Sequence, residues 1–241
     1  MTGPDDRRVP GSLALPLGLL AAGAALHAVP ALTSIWPAVR RPFGVEDRTA
    51  SGTGFALTFD DGPHRLGTPA VLEVLAARGV RATFFLVGEQ VRRNPTLAAE
   101  IVAAGHGIGL HCDRHRNLLR LGGRAVRDDI ERALATIEEA TGRPVGLYRP
   151  PYGVLSAAAL REAHRRGWRT MLWSHWGRDW DARATPESIA RLATRRLSAG
   201  AVVLLHDADD YSSPGSWRRT AAALPAVLDA CEARRLAFVA P

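Results

Sequence analysis

From Phe55 onward, short and almost wholly apolar runs alternate with longer stretches whose apolar residues recur every three or four positions. The short runs predict buried strands and the long ones amphipathic helices. Strands are expected over residues 55–59, 82–87, 107–110, 146–148, 169–173, 201–205 and 236–240. Helices are expected over residues 68–78, 95–104, 123–141, 156–166, 186–198 and 217–234. Ser156 and the Thr185-Pro186-Glu187 run read as helix starts, the latter a capping hydroxyl followed by Pro at the first helical position. Gly79, Gly105, Gly142, Gly167 and Gly200 fall where helices should stop. Repeated strand–helix units predict an α/β fold, a parallel sheet or barrel with its chemistry at the C-terminal ends of the strands.

The chain before Phe55 follows a different pattern. Residues 11–39 contain no Asp, Glu or Arg, are rich in Leu and Ala, and are bracketed by Arg7-Arg8 and Arg40-Arg41. Their length permits a membrane span, although Pro16 and Pro30 interrupt it. A secretory signal, with its apolar stretch at residues 13–20 and small residues Ala22-Gly23-Ala24 behind it, is a second reading. A helix packed on the domain is a third. Residues 40–54, with Pro42, Gly44 and Ser51-Gly52-Thr53-Gly54, read as a linker. The expected division is therefore 1–39 apolar segment, 40–54 linker and 55–241 domain.

Composition adds little beyond this. All 31 basic residues are Arg, and the net charge of +7 favours anionic surroundings such as a membrane or cell-wall polymer. The Arg residues are scattered, and no helix-turn-helix, zinc-finger or RNA-binding signature accompanies them, so no nucleic-acid partner is expected. Cys112 and Cys231 are too few for a disulfide scaffold.

The chemistry gathers at the predicted strand ends. Asp60-Asp61-Gly62-Pro63 by itself is ordinary turn chemistry. Adjacent carboxylates avoid mutual repulsion when a cation occupies one and the other moves protons. His111 and His115 are four residues apart, the spacing that puts two imidazoles on one helical face. With Asp61 they make a two-His, one-carboxylate set that leaves positions open for water and substrate, as catalytic zinc requires. Arg149, before Pro150-Pro151-Tyr152-Gly153, is placed to pair with Asp60 or to close its own turn. Gly153 would let backbone approach a ligand closely. Trp173, Trp176 and Trp180 suggest either a carbohydrate-binding wall or core packing. His206, at the last apolar strand end, suits a general acid.

In this order, Thr58-Phe59-Asp60-Asp61-Gly62-Pro63, His111-x-x-x-His115, Arg149-Pro150-Pro151-Tyr152-Gly153, Asp179-Trp180 and Leu204-Leu205-His206-Asp207 resemble the polysaccharide deacetylases. This is the NodB-homology domain of carbohydrate esterase family 4. The resemblance implies a distorted (β/α) barrel behind an N-terminal apolar segment, and metal-dependent removal of N-acetyl groups from N-acetylglucosamine-containing glycans, peptidoglycan or chitin-like. It further implies a divalent metal, most often Zn2+, on Asp61, His111 and His115. Asp60 would be the general base, oriented by Arg149, and His206 the general acid, with Asp179 beside it. The Tyr152 N–H would bind the oxyanion, Trp180 would contact substrate and Leu204 would face the acetyl methyl. The substrate and the N-terminal segment together suggest an extracytoplasmic enzyme, anchored or secreted. A carbohydrate-binding pseudoenzyme and a hydrolase of another non-peptide amide are the alternatives on the same fold. Two positions depart from the family pattern: Cys112 replaces the usual Ser or Thr, and Trp176 stands where many members carry an Asp. Any missing tuning of His206 must then come from Asp179 or elsewhere, His175 included.

Overall fold

Eight strands form one sheet in the order β1-β6-β5-β4-β3-β2-β8-β7, and every pairing is parallel. The structure, a computed structural model, describes residues 22–241. The strands are β1 Val45–Glu46, β2 Phe55–Asp60, β3 Thr83–Val87, β4 Gly107–Cys112, β5 Leu147–Tyr148, β6 Arg169–Met171, β7 His175–Trp176 and β8 Ala201–His206. Helices α1 Gly67–Ala77, α2 Gly88–Arg93, α3 Pro95–Ala103, α4 Gly123–Thr141, α5 Ala157–Arg165, α6 Pro186–Ala193 and α7 Ser216–Ala233 connect or follow them. Parallel strands need long crossovers, and helices supply them while covering the sheet. The curled sheet with its helices is the (β/α) arrangement expected above.

β2 and β3 are buried along their whole length, and so is β8 up to half-buried His206. Central strands covered on both sides read as continuous apolar runs, which is why these three were plain in the sequence. Helix α4 matches its expected bounds. Its apolar residues Val126, Ile130, Ala133 and Ile137 are buried on one face, and Gly142 ends it with a φ of 62°. Ser156 accepts a hydrogen bond from the Ala159 N–H, and Thr185 forms a capping box with Ser188.

Three expectations change. Residues 40–54 are more than a linker, because β1 lies within them and pairs with β6, with Val45 buried. The Arg169 guanidinium holds that edge by pairing with Glu46. Residues 236–240 form no strand, only a bridge from Phe238 to Phe55 at the start of β2, which β3 leaves unpaired because it begins opposite Thr58. The Val239 N–H and the Ala237 carbonyl bond Phe55 there. Finally, β7 and α2 were not foreseen.

The expected apolar segment is described from Ala22 on; the signal-like stretch at 13–20 lies outside the described residues. Among these, no single helix is long and apolar enough to cross a membrane, and Ala22–Ile35 and Pro37–Phe43 are bent by 117° at Trp36. Pro30 and Thr33 are buried, whereas Leu26, Val29, Leu32, Ile35 and Trp36 are exposed.

Candidate active site

β2 ends on Asp60, and the chain turns at Asp61 with a φ of 77°. Consecutive strand residues point to opposite faces, so two adjacent carboxylates share one pocket only if the strand breaks between them. Asp tolerates the left-handed region better than most residues. The turn brings both side chains to one cavity of about 270 Å3. Gly62 follows for steric reasons: a Cβ there would lie 2.4 Å from Asp207 Oδ2.

The two carboxylates meet different partners. Asp60 Oδ1 accepts a 2.6 Å hydrogen bond from Arg149 Nη1. Arg149 is wholly buried, and it also donates to the Thr58 hydroxyl and to the carbonyls of Met171 and Leu172. It thus both pairs with Asp60 and ties the end of β6 to β2. Asp61 Oδ1 lies 3.5 Å from His111 Nε2 and 3.4 Å from His115 Nε2.

The histidines do not share a helix. His111 is on β4 and His115 lies in the loop beyond Asp113 and Arg114. A parallel strand edge, not a helical repeat, sets their approach. His111 Nδ1 is 2.7 Å from the Arg149 carbonyl; donating there leaves Nε2 as a lone pair facing Asp61. His115 Nδ1 has no partner among the described residues; its ring sits between Tyr211, stacked at 4.5 Å, and Tyr152, edge-on at 4.5 Å.

These residues fit a divalent cation. Asp61 Oδ1 is buried with no hydrogen-bond partner among the described residues, and the three ligand atoms lie within 4.8 Å of one another. Zinc reaches nitrogen and oxygen ligands at about 2.0–2.2 Å, so one ion spans such a triangle. Burial works against the Asp61 charge, yet the cationic His206 and the imidazole cluster around it outweigh that and hold the pKa at about 2. Burial takes His115 down to about 4, partly offset by Asp61, so the ring is neutral and its lone pair free. His64, Asp209 and Asp210 also cluster, but chemically they differ. His64 Nδ1 accepts from the Gly67 N–H at 2.9 Å. With Nδ1 accepting, the ring's proton sits on Nε2, 3.4 Å from Asp209, with no lone pair left for an ion.

Opposite the metal triad stands His206, in register with Asp60 across the β2–β8 pairing. Its Nδ1 is 2.9 Å from Asp179 Oδ1, while Asp179 Oδ2 accepts from the His206 backbone N–H and the Thr220 hydroxyl. Burial lowers the imidazole pKa, but Asp179, by charge and hydrogen bond, raises it to about 10. The ring is cationic at neutral pH, and Nε2 faces the pocket 4.0 Å from Asp61 Oδ2. Trp173, Trp176, Trp180, Tyr152 and Leu204 complete the walls.

Residues 47–171 match the family model described as polysaccharide deacetylase. The chain belongs to the polysaccharide deacetylase family. Among curated relatives, the peptidoglycan-N-acetylglucosamine deacetylase of Bacillus cereus is 35% identical over 187 residues, 76% of this chain and 84% of that one. The chitooligosaccharide deacetylase of Azorhizobium caulinodans is 34% identical over 197 residues, 79% of this chain and 93% of that one. A crystal structure of the Bc1960 peptidoglycan N-acetylglucosamine deacetylase superposes with a TM-score of 0.77 at 26% identity, covering 83% of this chain and 92% of that one.

In this polysaccharide deacetylase, every site residue expected from sequence reaches the site: Asp60, Asp61, His111, His115, Tyr152, Trp180, Leu204 and His206 line the pocket, and Arg149 and Asp179 bond Asp60 and His206. Gly153 lines the pocket, and its φ of 68° together with Trp173, which a Cβ there would meet at 2.7 Å, leaves no room for a side chain. His175 does not reach His206; its Nδ1 pairs with the Ser174 hydroxyl. Cys112 is buried beside His111 on β4 and outside the metal group; burial, helped by Asp129, pushes its thiol pKa well up, so it stays protonated. Both cysteines are free. Sequence reading missed Tyr211 and Ser212, which line the pocket. Only an aromatic five residues beyond His206 hinted at the first, and its anchors, Glu89 and Gln90, lie more than a hundred residues away.

Proposed function

We propose that this chain is a metal-dependent N-deacetylase of N-acetylglucosamine-containing glycans, peptidoglycan or chitin-like, acting outside the cytoplasm as an anchored or secreted enzyme. The observation that carries the reading is the division of labour in one pocket. A carboxylate held by a buried Arg faces a cationic His, with an ionised carboxylate and two imidazole lone pairs between them.

Asp61, His111 and His115 would hold the ion. When bound, a divalent ion such as zinc supplies Lewis acidity toward an acyl oxygen and makes water a nucleophile at neutral pH. Asp60, fixed by Arg149, takes a proton from the attacking water. The Tyr152 N–H donates to the oxyanion as the carbonyl carbon becomes tetrahedral. His206 then gives its Nε2 proton to the leaving nitrogen as the C–N bond breaks, releasing acetate and the free amine. Asp179 keeps that proton available by raising the His206 pKa. Leu204 bounds the space for the acetyl methyl, and Trp180 offers an apolar face to the sugar.

A pair of variants tests the roles. Asp60→Asn should abolish acetate release while still binding zinc, and His111→Ala should lose both. Full activity in Asp60→Asn would show that the base is wrongly assigned. A carbohydrate-binding protein without turnover would give glycan and metal binding in the wild type and no acetate.

A further inference from the structure

Metal-ligating imidazoles are ordinarily aimed by a hydrogen bond on the second ring nitrogen. His111 has one, from Nδ1 to the Arg149 carbonyl, whereas His115 Nδ1 has no partner among the described residues. His115 also stands in a loop, so its direction must come from the backbone that carries it and from what packs on the ring. Midway between the two histidines in sequence is Asp113, a buried carboxylate outside both the ligand set and the pocket wall. We propose that Asp113 is a positioning residue of the metal site, fixing the loop from His111 to His115 so that both imidazoles meet Asp61. The proposal rests on the metal-dependent reading and adds to it a residue that acts through His115.

Every polar group of Asp113 is engaged. Its N–H donates to Asp129 Oδ2 at 2.8 Å, and its carbonyl accepts from the Glu89 N–H at 3.0 Å. Its Oδ1 accepts from Arg92 Nη1 at 2.7 Å and its Oδ2 from Arg132 Nε at 3.2 Å. These partners belong to α2 and α4, which thereby hold the loop from two sides. Asp129 is buried too, and its Oδ1 accepts from Arg116 Nη2 at 2.6 Å. One carboxylate on α4 therefore grips the loop at residues 113 and 116, on both sides of His115. Glu89 completes the frame: its backbone holds Asp113, while its side chain accepts from Tyr211, the ring stacked on His115. The neighbouring Cys112 offers the loop only a weak thiol donor. Apolar side chains could fill the same space without the cost of burying two carboxylates. They could not supply the directed bonds that fix this backbone.

The experiment uses the full chain and measures zinc affinity by competition with a chromogenic chelator, the visible spectrum of the cobalt-loaded protein, and Tm without metal. Glu162 provides a matched control, since it is likewise buried and paired with three Arg, namely Arg127, Arg165 and Arg166, but lies on α5 away from the metal group. Asp113→Ala should weaken zinc binding by about 10–100-fold and alter the cobalt spectrum, and Asp113→Asn should recover part of both. Glu162→Ala should lower Tm and leave affinity and spectrum as in the wild type. If Asp113→Ala does not fold, Asp113→Asn decides, with weaker zinc binding expected. Unchanged affinity and spectrum in the folded Asp113 variants overturn the proposal while the metal-dependent reading stands. An equal loss in Glu162→Ala also overturns it, because the effect would then be one of general stability. A wild type that binds no zinc overturns the metal-dependent reading and this role together.

Discussion

Asp60 and Asp61 are neighbours whose surroundings give them opposite work. Asp60 keeps the strand's geometry and meets a guanidinium, whereas Asp61 leaves it through a left-handed backbone and meets two imidazoles. The acid side is simpler than the departures in sequence suggested. Trp176 offers no carboxylate, yet Asp179 bonds both the His206 ring and its backbone N–H. A general acid is needed by an amine leaving group and hardly by a phenolate. His206→Gln should therefore lose about 10²–10⁴-fold on an N-acetyl glycan but far less on 4-nitrophenyl acetate, compared in one rate assay. Equal losses on both would remove His206 from the acid role. Tyr211 acts through His115: its hydroxyl donates to Glu89 at 2.5 Å and accepts from Gln90 at 3.2 Å, which holds the ring against the imidazole. Tyr211→Leu should weaken zinc binding by about 10–100-fold, read by competition with a chromogenic chelator, and Tyr211→Phe should recover part of it.

The strand register does at the scale of elements what no motif could declare. β2 pairs with β8 so that Asp60 lies opposite His206, and Arg149 after β5 reaches across to β2. Removing one partner of a buried ion pair leaves the other charge uncompensated, so Arg149→Met should cost about 3–5 kcal/mol in chemical denaturation. A second element-level test uses pH. His106, between α3 and β4, accepts the Ala82 N–H on Nδ1 at 3.1 Å, and burial, with Arg81 adding to it, holds its pKa below the ordinary 6.5. The unfolded chain takes up a proton near 6.5 and the folded chain only at lower pH, so this contribution is complete above 6.5 and declines as pH falls through it. His106→Asn, whose Oδ1 can accept the same N–H, should show a smaller fall in Tm than the wild type between about pH 7.5 and 5.5. The elements missed from sequence share a cause. β1 and β7 are two residues each and α2 is six, too short for a period to register. The helix inferred for His111 and His115 failed because a spacing of four does not distinguish a helical face from a strand end followed by a tight loop.

For the whole molecule, legibility followed burial. The central strands β2, β3 and β8 and the long amphipathic α4 were plain in the sequence, and with β2 and β8 the places of Asp60, Asp61 and His206. What stayed hidden depends on distant contacts: the Tyr211 anchor on α2 and the N-terminal segment as a wall of the cavity beside the catalytic pocket. The central claim is that one ion on Asp61, His111 and His115 makes this pocket a deacetylase. It is tested most directly by acetate release from N-acetylglucosamine oligomers and peptidoglycan before chelation, after chelation, and after zinc is restored. The account predicts release, its loss with the chelator, and its return with the metal. Undiminished release from the metal-free protein, or none from any glycan with zinc bound, would contradict it.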